Sequence, residues 1–128
     1  MNEIEILVLV CVMTAVMWVP YILERIYRQG LFATVGYHDS SPAVAAWAQR
    51  AQKAHRNAVE NLVLFAALLL AAVASDATSG ITLLASQVYV FARIVHYLCY
   101  VLAVPWIRTL AFFAGFVAQI TLAVSIVY

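Results

Sequence analysis

The chain has 128 residues, of which 66% are hydrophobic and 10% charged, with a mean hydropathy of +0.96. That composition lies far outside the soluble norm and marks one membrane domain spanning 1–128. A formal charge of +1 excludes the clustered basic surface that nucleic acid requires.

The first apolar run extends from Ile4 to Leu23, and the pattern predicts a helix from about Ile4 to Tyr27. Glu3 and Glu5 stand where a secretory signal would carry cations, and no small-residue cleavage site follows. The run therefore reads as a retained span, with Pro20 placed to kink it. Gly30 to Ser41 reads as the longest irregular stretch, and solvated His38 lies within it. Ser41 is a candidate cap and Pro42 suits a first helical position, so a second helix is expected from Pro42 to about Ala74. About 33 residues at 1.5 Å rise make ~50 Å, more than a bilayer core. The polar half, Trp47 to Glu60, should project from the membrane or pack at its edge. Ser75 to Gly80 forms a short turn, and further helices are predicted at about 81–101 and 105–128. The fold class is all-α, an integral membrane four-helix bundle.

The seven Lys and Arg residues are Arg25, Arg28, Arg50, Lys53, Arg56, Arg93 and Arg108. All fall in or beside two of the connections, which predicts a cytoplasmic face there and both termini on the opposite side. Trp18, Trp47 and Trp106 suit an aromatic belt near that boundary. Cys11 and Cys99 fall in apolar runs without a CxxC pair and read as buried small hydrophobes. Ala111 and Gly115 form a small-xxx-small pair, which is helix-packing chemistry. His55 and His96 on neighbouring helices are too weak a signal to argue for a haem.

The polar residues converge. Lys53, Asn57, Glu60 and Asn61 share one face of the second helix, and Arg93, His96 and Tyr100 share one face of the third. Arg93 lies inside an apolar span, so it should turn to the bundle interior and find a partner, for which Glu60 is the natural acid. Arg108, in the first turn of the last helix, joins the same layer. Taken singly, Arg25, Arg28 and Arg50 read as cations that snorkel at helix ends. Taken together, Asn57, Glu60, Arg93, Tyr100 and Arg108 read as a functional layer.

The stretch Arg50-Ala-Gln-Lys-Ala-His-Arg-Asn-Ala-Val-Glu-Asn61 resembles the second-helix signature of the MAPEG family, the membrane-associated proteins in eicosanoid and glutathione metabolism. Phe91-Ala-Arg-Ile-Val-His-Tyr-Leu-Cys-Tyr100 and the later Arg108-Thr-Leu-Ala-Phe-Phe resemble that family's third helix and the start of its fourth. The resemblance implies a homotrimer that binds glutathione as co-substrate, without metal, between neighbouring subunits at the cytoplasmic side. It assigns Arg28, Lys53, His55, Asn57, Glu60, Arg93 and His96 to holding glutathione. It assigns Arg108, supplemented by Tyr100, to stabilising the thiolate. The implied activity is a glutathione S-transferase or peroxidase acting on hydrophobic small molecules that partition into membrane lipid. Lys53 departs from the Arg of the leukotriene- and prostaglandin-forming members. Asn61 and His96 depart from the Tyr of the leukotriene synthase and look more like the microsomal glutathione transferases. A non-catalytic family member holding a lipid or assisting a partner is the main rival. A proton-coupled exporter would need an acid deep in a span, and only Glu24 and Glu60 are on offer.

Overall fold

The computed structural model describes residues 1–36 and 44–128, and the described residues are helical without strands. Its helices are α1 (Glu3–Val16), α2 (Trp18–Gln29), α3 (Leu31–Val35), α4 (Ala46–Ala74), α5 (Gly80–Val101) and α6 (Pro105–Val127). Taking α1 and α2 as one span, four helices are long and apolar enough to cross a membrane. The four-span expectation is met.

The first span breaks where Pro20 dictates. Pro20 offers no N–H to the carbonyl four residues earlier, at Val16, and its ring crowds that carbonyl. The helix is interrupted at Met17, whose N–H reaches back only three residues, to Thr14 O at 3.3 Å. At its start α1 carries a reciprocal cap. Asn2 Oδ1 accepts from the Glu5 N–H and Glu5 Oε2 from the Asn2 N–H, each at 2.9 Å. Glu3 and Glu5 thus sit in the first turn, where the helix dipole favours acids. Glu3 also accepts from Thr82 Oγ1 at 3.0 Å, tying α1 to α5.

Two boundaries differ from expectation. The stretch after Gly30, read as irregular, contains the short helix α3, entered through Gly30 at φ 86°. The second span begins at Ala46 rather than at Pro42, and the proposed cap Ser41, Pro42 and His38 lie outside the described residues. Pro105 does occupy the start of α6, as its fixed φ favours.

Packing follows small residues. The buried face of α4 runs Ala48, Ala51, Ala54, Ala58, then Phe65, Leu69 and Ala72. Lipid tails are as apolar as leucine, so membrane helices associate by close contact, and alanine permits it. The core gathers Ile6, Leu7, Val10, Phe65, Leu69, Ala85, Tyr89, Ala118 and Leu122. Phe65 and Tyr89 stack with centroids 3.9 Å apart and planes 3° from parallel. The apolar outer surface needs no cover of protein in a bilayer. The cysteines depart from the reading as buried hydrophobes. Cys11 is exposed and Cys99 half-buried, because each sits on a flank of its helix rather than on the packed stripe.

Ala111 and Gly115 are buried against α5, as the small-xxx-small spacing implies. A Cβ placed on Gly115 would lie 3.8 Å from Tyr89 Cδ2 and 3.9 Å from both Ala92 Cβ and Arg93 Cδ. Those are ordinary contacts, so one methyl fits and nothing larger does. Gly115→Ala should therefore melt near the parent in detergent. Gly115→Leu should lose about 1–3 kcal/mol by forcing α6 off α5. Equal melting of the two variants would show that the α5–α6 seam is not close-packed.

Candidate functional site

At one end of the bundle, α4, α5 and α6 bring polar side chains together around Arg93. Arg93 is only 3% exposed. Its Nη2 donates to Asn57 Oδ1 at 2.8 Å, across from α5 to α4. The helical repeat sets Asn61 one turn beyond Asn57. Asn61 Nδ2 donates to the Asn57 carbonyl at 2.9 Å and approaches its Oδ1 at 3.3 Å. From α6, Gln119 Nε2 donates to the Asn61 carbonyl at 3.2 Å. One amide–guanidinium chain therefore links all three helices. Gln119 was not singled out from the sequence, although a lone amide in an otherwise apolar helix is the signal that would have found it.

The interior placement of Arg93 is as expected, but its partner is not. Within the subunit Arg93 meets the neutral Asn57, while Glu60 is exposed and makes no contact with it. Glu60 and Asn57 are three residues apart, about 60° around the helix, so they share a broad face of which Asn57 is the edge turned to α5 and Glu60 the exposed edge. Arg93 Nε remains buried without an acceptor among the described residues. A desolvated cation facing only an amide is electrostatically under-compensated.

The second group lies one turn further along α5. His96 is 3% exposed, its ring in edge contact with Tyr100 at 5.6 Å between centroids and 6.1 Å from Phe112. Its Nδ1 is buried with no partner among the described residues. The Arg108 guanidinium lies 5.0 Å from the centre of the Tyr100 ring, within cation–π range. Among the described residues Arg108 forms no ion pair and no side-chain hydrogen bond.

The remaining candidates are dispersed in one subunit. Lys53 is exposed, on the same outward side of α4 as Glu60 and Arg56. His55 turns toward the first span, where its Nδ1 lies 2.8 Å from Tyr21 Oη. Arg28 is on α2, paired with Glu24 four residues before it, the only ion pair among the described residues. Glu24 is buried, which shows why a carboxylate at the end of a membrane span keeps an arginine one turn away. The structure thus joins Asn57, Arg93, His96, Tyr100 and Arg108, and leaves Arg28, Lys53, His55 and Glu60 around them on separate surfaces.

Chemically, the joined set is cation-rich. It holds two arginines, one buried and one at the edge, while the exposed carboxylate of Glu60 lies outside it, so the arrangement suits an anionic ligand. No curated protein and no solved structure was found to match the chain. A model of the MAPEG family matches residues 6–128. That match takes in all four spans and every residue of the polar network, and the chain belongs to the MAPEG family.

Proposed function

We propose that this protein is a membrane-bound glutathione S-transferase or peroxidase acting on hydrophobic electrophiles. The observation that carries the reading is Arg108, a guanidinium braced on Tyr100 with no acid among the described residues to neutralise it. A thiol of ordinary pKa, near 8.5, is a poor nucleophile at neutral pH unless a cation stabilises its thiolate. Arg108 supplies a permanent charge and several N–H donors, and Tyr100 adds a hydroxyl.

Glutathione carries two carboxylates and one ammonium. Arg93 and Lys53, with Arg28 contributed from a neighbouring copy, suit the carboxylates, and Glu60 suits the ammonium. Asn57 holds Arg93 in place, and His55 and His96 complete the walls. Glu60 and Lys53 face outward from the subunit, so the site is whole only where a second copy covers that face, which favours the family's homotrimer. The Lys and Arg residues gathered beside two of the connections support a cytoplasmic side for this face, where glutathione is reduced and plentiful. The electrophile arrives from the bilayer.

In the transferase step the glutathione thiol gives its proton to solvent, and the thiolate attacks the electrophilic carbon. A carbon–sulfur bond forms, and the leaving group departs with its bonding electrons. Toward a lipid hydroperoxide, the same thiolate attacks the terminal oxygen and releases an alcohol. The resulting sulfenic acid is converted by a second glutathione to disulfide and water.

Arg108→Ala should lower turnover with an aryl halide by orders of magnitude at neutral pH, while glutathione still binds. The variant's rate should recover as pH rises past the thiol's own pKa, because the thiol then ionises unaided. Arg108→Lys should keep part of the activity, since a point charge remains without the planar fork. Parental turnover in Arg108→Ala at neutral pH would leave Arg108 a structural residue, and absence of glutathione-dependent turnover in the parent itself would favour the lipid-holding, non-catalytic reading.

Asn57→Leu removes the acceptor of a buried guanidinium. It should cost about 1–3 kcal/mol in thermal stability and weaken glutathione binding with less effect on turnover. Unchanged melting and unchanged affinity would show that the Arg93–Asn57 bond holds neither fold nor ligand.

A further inference from the structure

The turn between α5 and α6 carries both Tyr100 and the start of the helix that bears Arg108, and its geometry is incomplete without a residue from α4. Helix α5 ends in a Schellman motif. The Val104 N–H bonds the Cys99 carbonyl at 2.8 Å, and the Ala103 N–H bonds the Tyr100 carbonyl at 3.3 Å. The Leu98 carbonyl is satisfied by the Leu102 N–H at 2.9 Å. The motif requires a left-handed residue, usually glycine, at the position Ala103 occupies with φ 60°. Ala103 pays a steric penalty there because its Cβ crowds the backbone.

One carbonyl in the last turn, that of Val101, receives no backbone donor among the described residues. Arg50 Nε donates to it at 2.9 Å, from 51 residues away on α4. A guanidinium at a helix C-terminus is favoured twice, by the charge-assisted bond and by the negative end of the helix dipole. The plain snorkelling reading of Arg50 does not survive this geometry. A snorkelling side chain ends in water, whereas this one ends on the carbonyl of the residue that follows Tyr100.

We propose that Arg50 is a positioning residue, which fixes the α5–α6 turn through the Val101 carbonyl and so holds Tyr100 and Arg108 in register for thiolate stabilisation. The proposal rests on the glutathione-transferase reading above and adds a residue to it that touches neither substrate nor sulfur. The physical lever is the turn. It joins a strained left-handed alanine to an otherwise unpaired carbonyl, and only a side chain from α4 closes it. Loss of that bond lets the turn open, and the Arg108 guanidinium drifts from the place it must occupy. A displacement of about 1 Å at a reacting centre lowers rate by as much as ~10²-fold.

The test uses the full-length protein in detergent with three readouts. These are amide hydrogen exchange across 102–104, turnover against KM for glutathione, and the thiolate absorbance of bound glutathione. Arg50→Ala should speed exchange at those amides by about tenfold. It should lower turnover and thiolate absorbance by about ten- to a hundredfold while KM changes little. Arg50→Lys, which keeps a donor, should recover most of both. Arg50→Ala combined with Ala103→Gly should recover part as well, because glycine relieves the left-handed strain and steadies the same turn without replacing the cation. That rescue separates action through the turn from direct contact with glutathione, and it also keeps the test valid should Arg50→Ala alone fold poorly. Unchanged exchange in Arg50→Ala, or faster exchange with parental turnover, overturns the positioning role. So does a raised KM with no rescue by Ala103→Gly, which would make Arg50 a ligand contact. Arg108→Ala in the same series tells the two levels apart. If the parent itself shows no glutathione-dependent turnover, the transferase reading has failed; if Arg108→Ala alone is inactive, only the role of Arg50 has.

Discussion

A charged guanidinium inside an apolar span is the constraint on which this structure turns. Arg93 facing lipid would cost at least about 2.5–3.5 kcal/mol, so the α5 helix must present it inward. Facing inward, it needs an acceptor, and Asn57 on α4 supplies one at 2.8 Å. That bond sets the register of α5 on α4. Asn61 and Gln119 then extend it to α6, so a single chain of polar groups orders three of the four spans. Its incompleteness is equally informative. A buried cation bonded to a neutral amide, with one N–H unanswered, is a poor structural salt bridge and a good half of an anion site.

The approach of the helices around that charge depends on what is small. Ala48, Ala51, Ala54 and Ala58 line the inner half of α4, and Ala111 and Gly115 line α6 opposite Tyr89 and Arg93. Larger side chains at these places would hold the backbones apart and leave the Arg93 side chain short of Asn57. The polar network and the alanine faces are thus one design, since the bonds need the close approach and the close approach leaves room for nothing else. At the edge of the layer the exposed charges of Lys53, Arg56 and Glu60 have no partner within the subunit among the described residues. On the proposed reading they look outward because their partners are a second copy and a bound tripeptide.

The sequence was most legible where the bilayer leaves no choice. Four long apolar runs specify four spans, the break near Pro20 follows from a missing donor, and the interior position of Arg93 follows from the cost of the alternative. It was least legible where two helices had to be set in register. Asn57, Glu60 and Asn61 all lie close in sequence, and only the packed structure shows that Arg93 meets the amide and leaves the acid outside. The Glu24–Arg28 pair is readable from its spacing of four residues, but the burial of Glu24 that makes the pair matter is not. The contact of His55 with Tyr21 on the first span was equally hidden, because the two lie 34 residues apart. Arg50 read as a snorkelling cation because the carbonyl it caps lies on another helix. Hydropathy reports the solvent of each segment; it carries no information on which of several nearby polar groups will touch.

The central claim is that the Arg93–Asn57 layer is part of a site for a doubly carboxylated thiol peptide. Its most direct test is calorimetric titration of the detergent-purified protein with glutathione and, separately, with glutathione diethyl ester. The diester keeps the thiol and the ammonium but lacks both carboxylates. The account expects saturable heat with glutathione, none with the diester, and loss of the glutathione signal in Arg93→Leu. Equal binding of the two compounds, or no binding of glutathione at millimolar concentration, would contradict it.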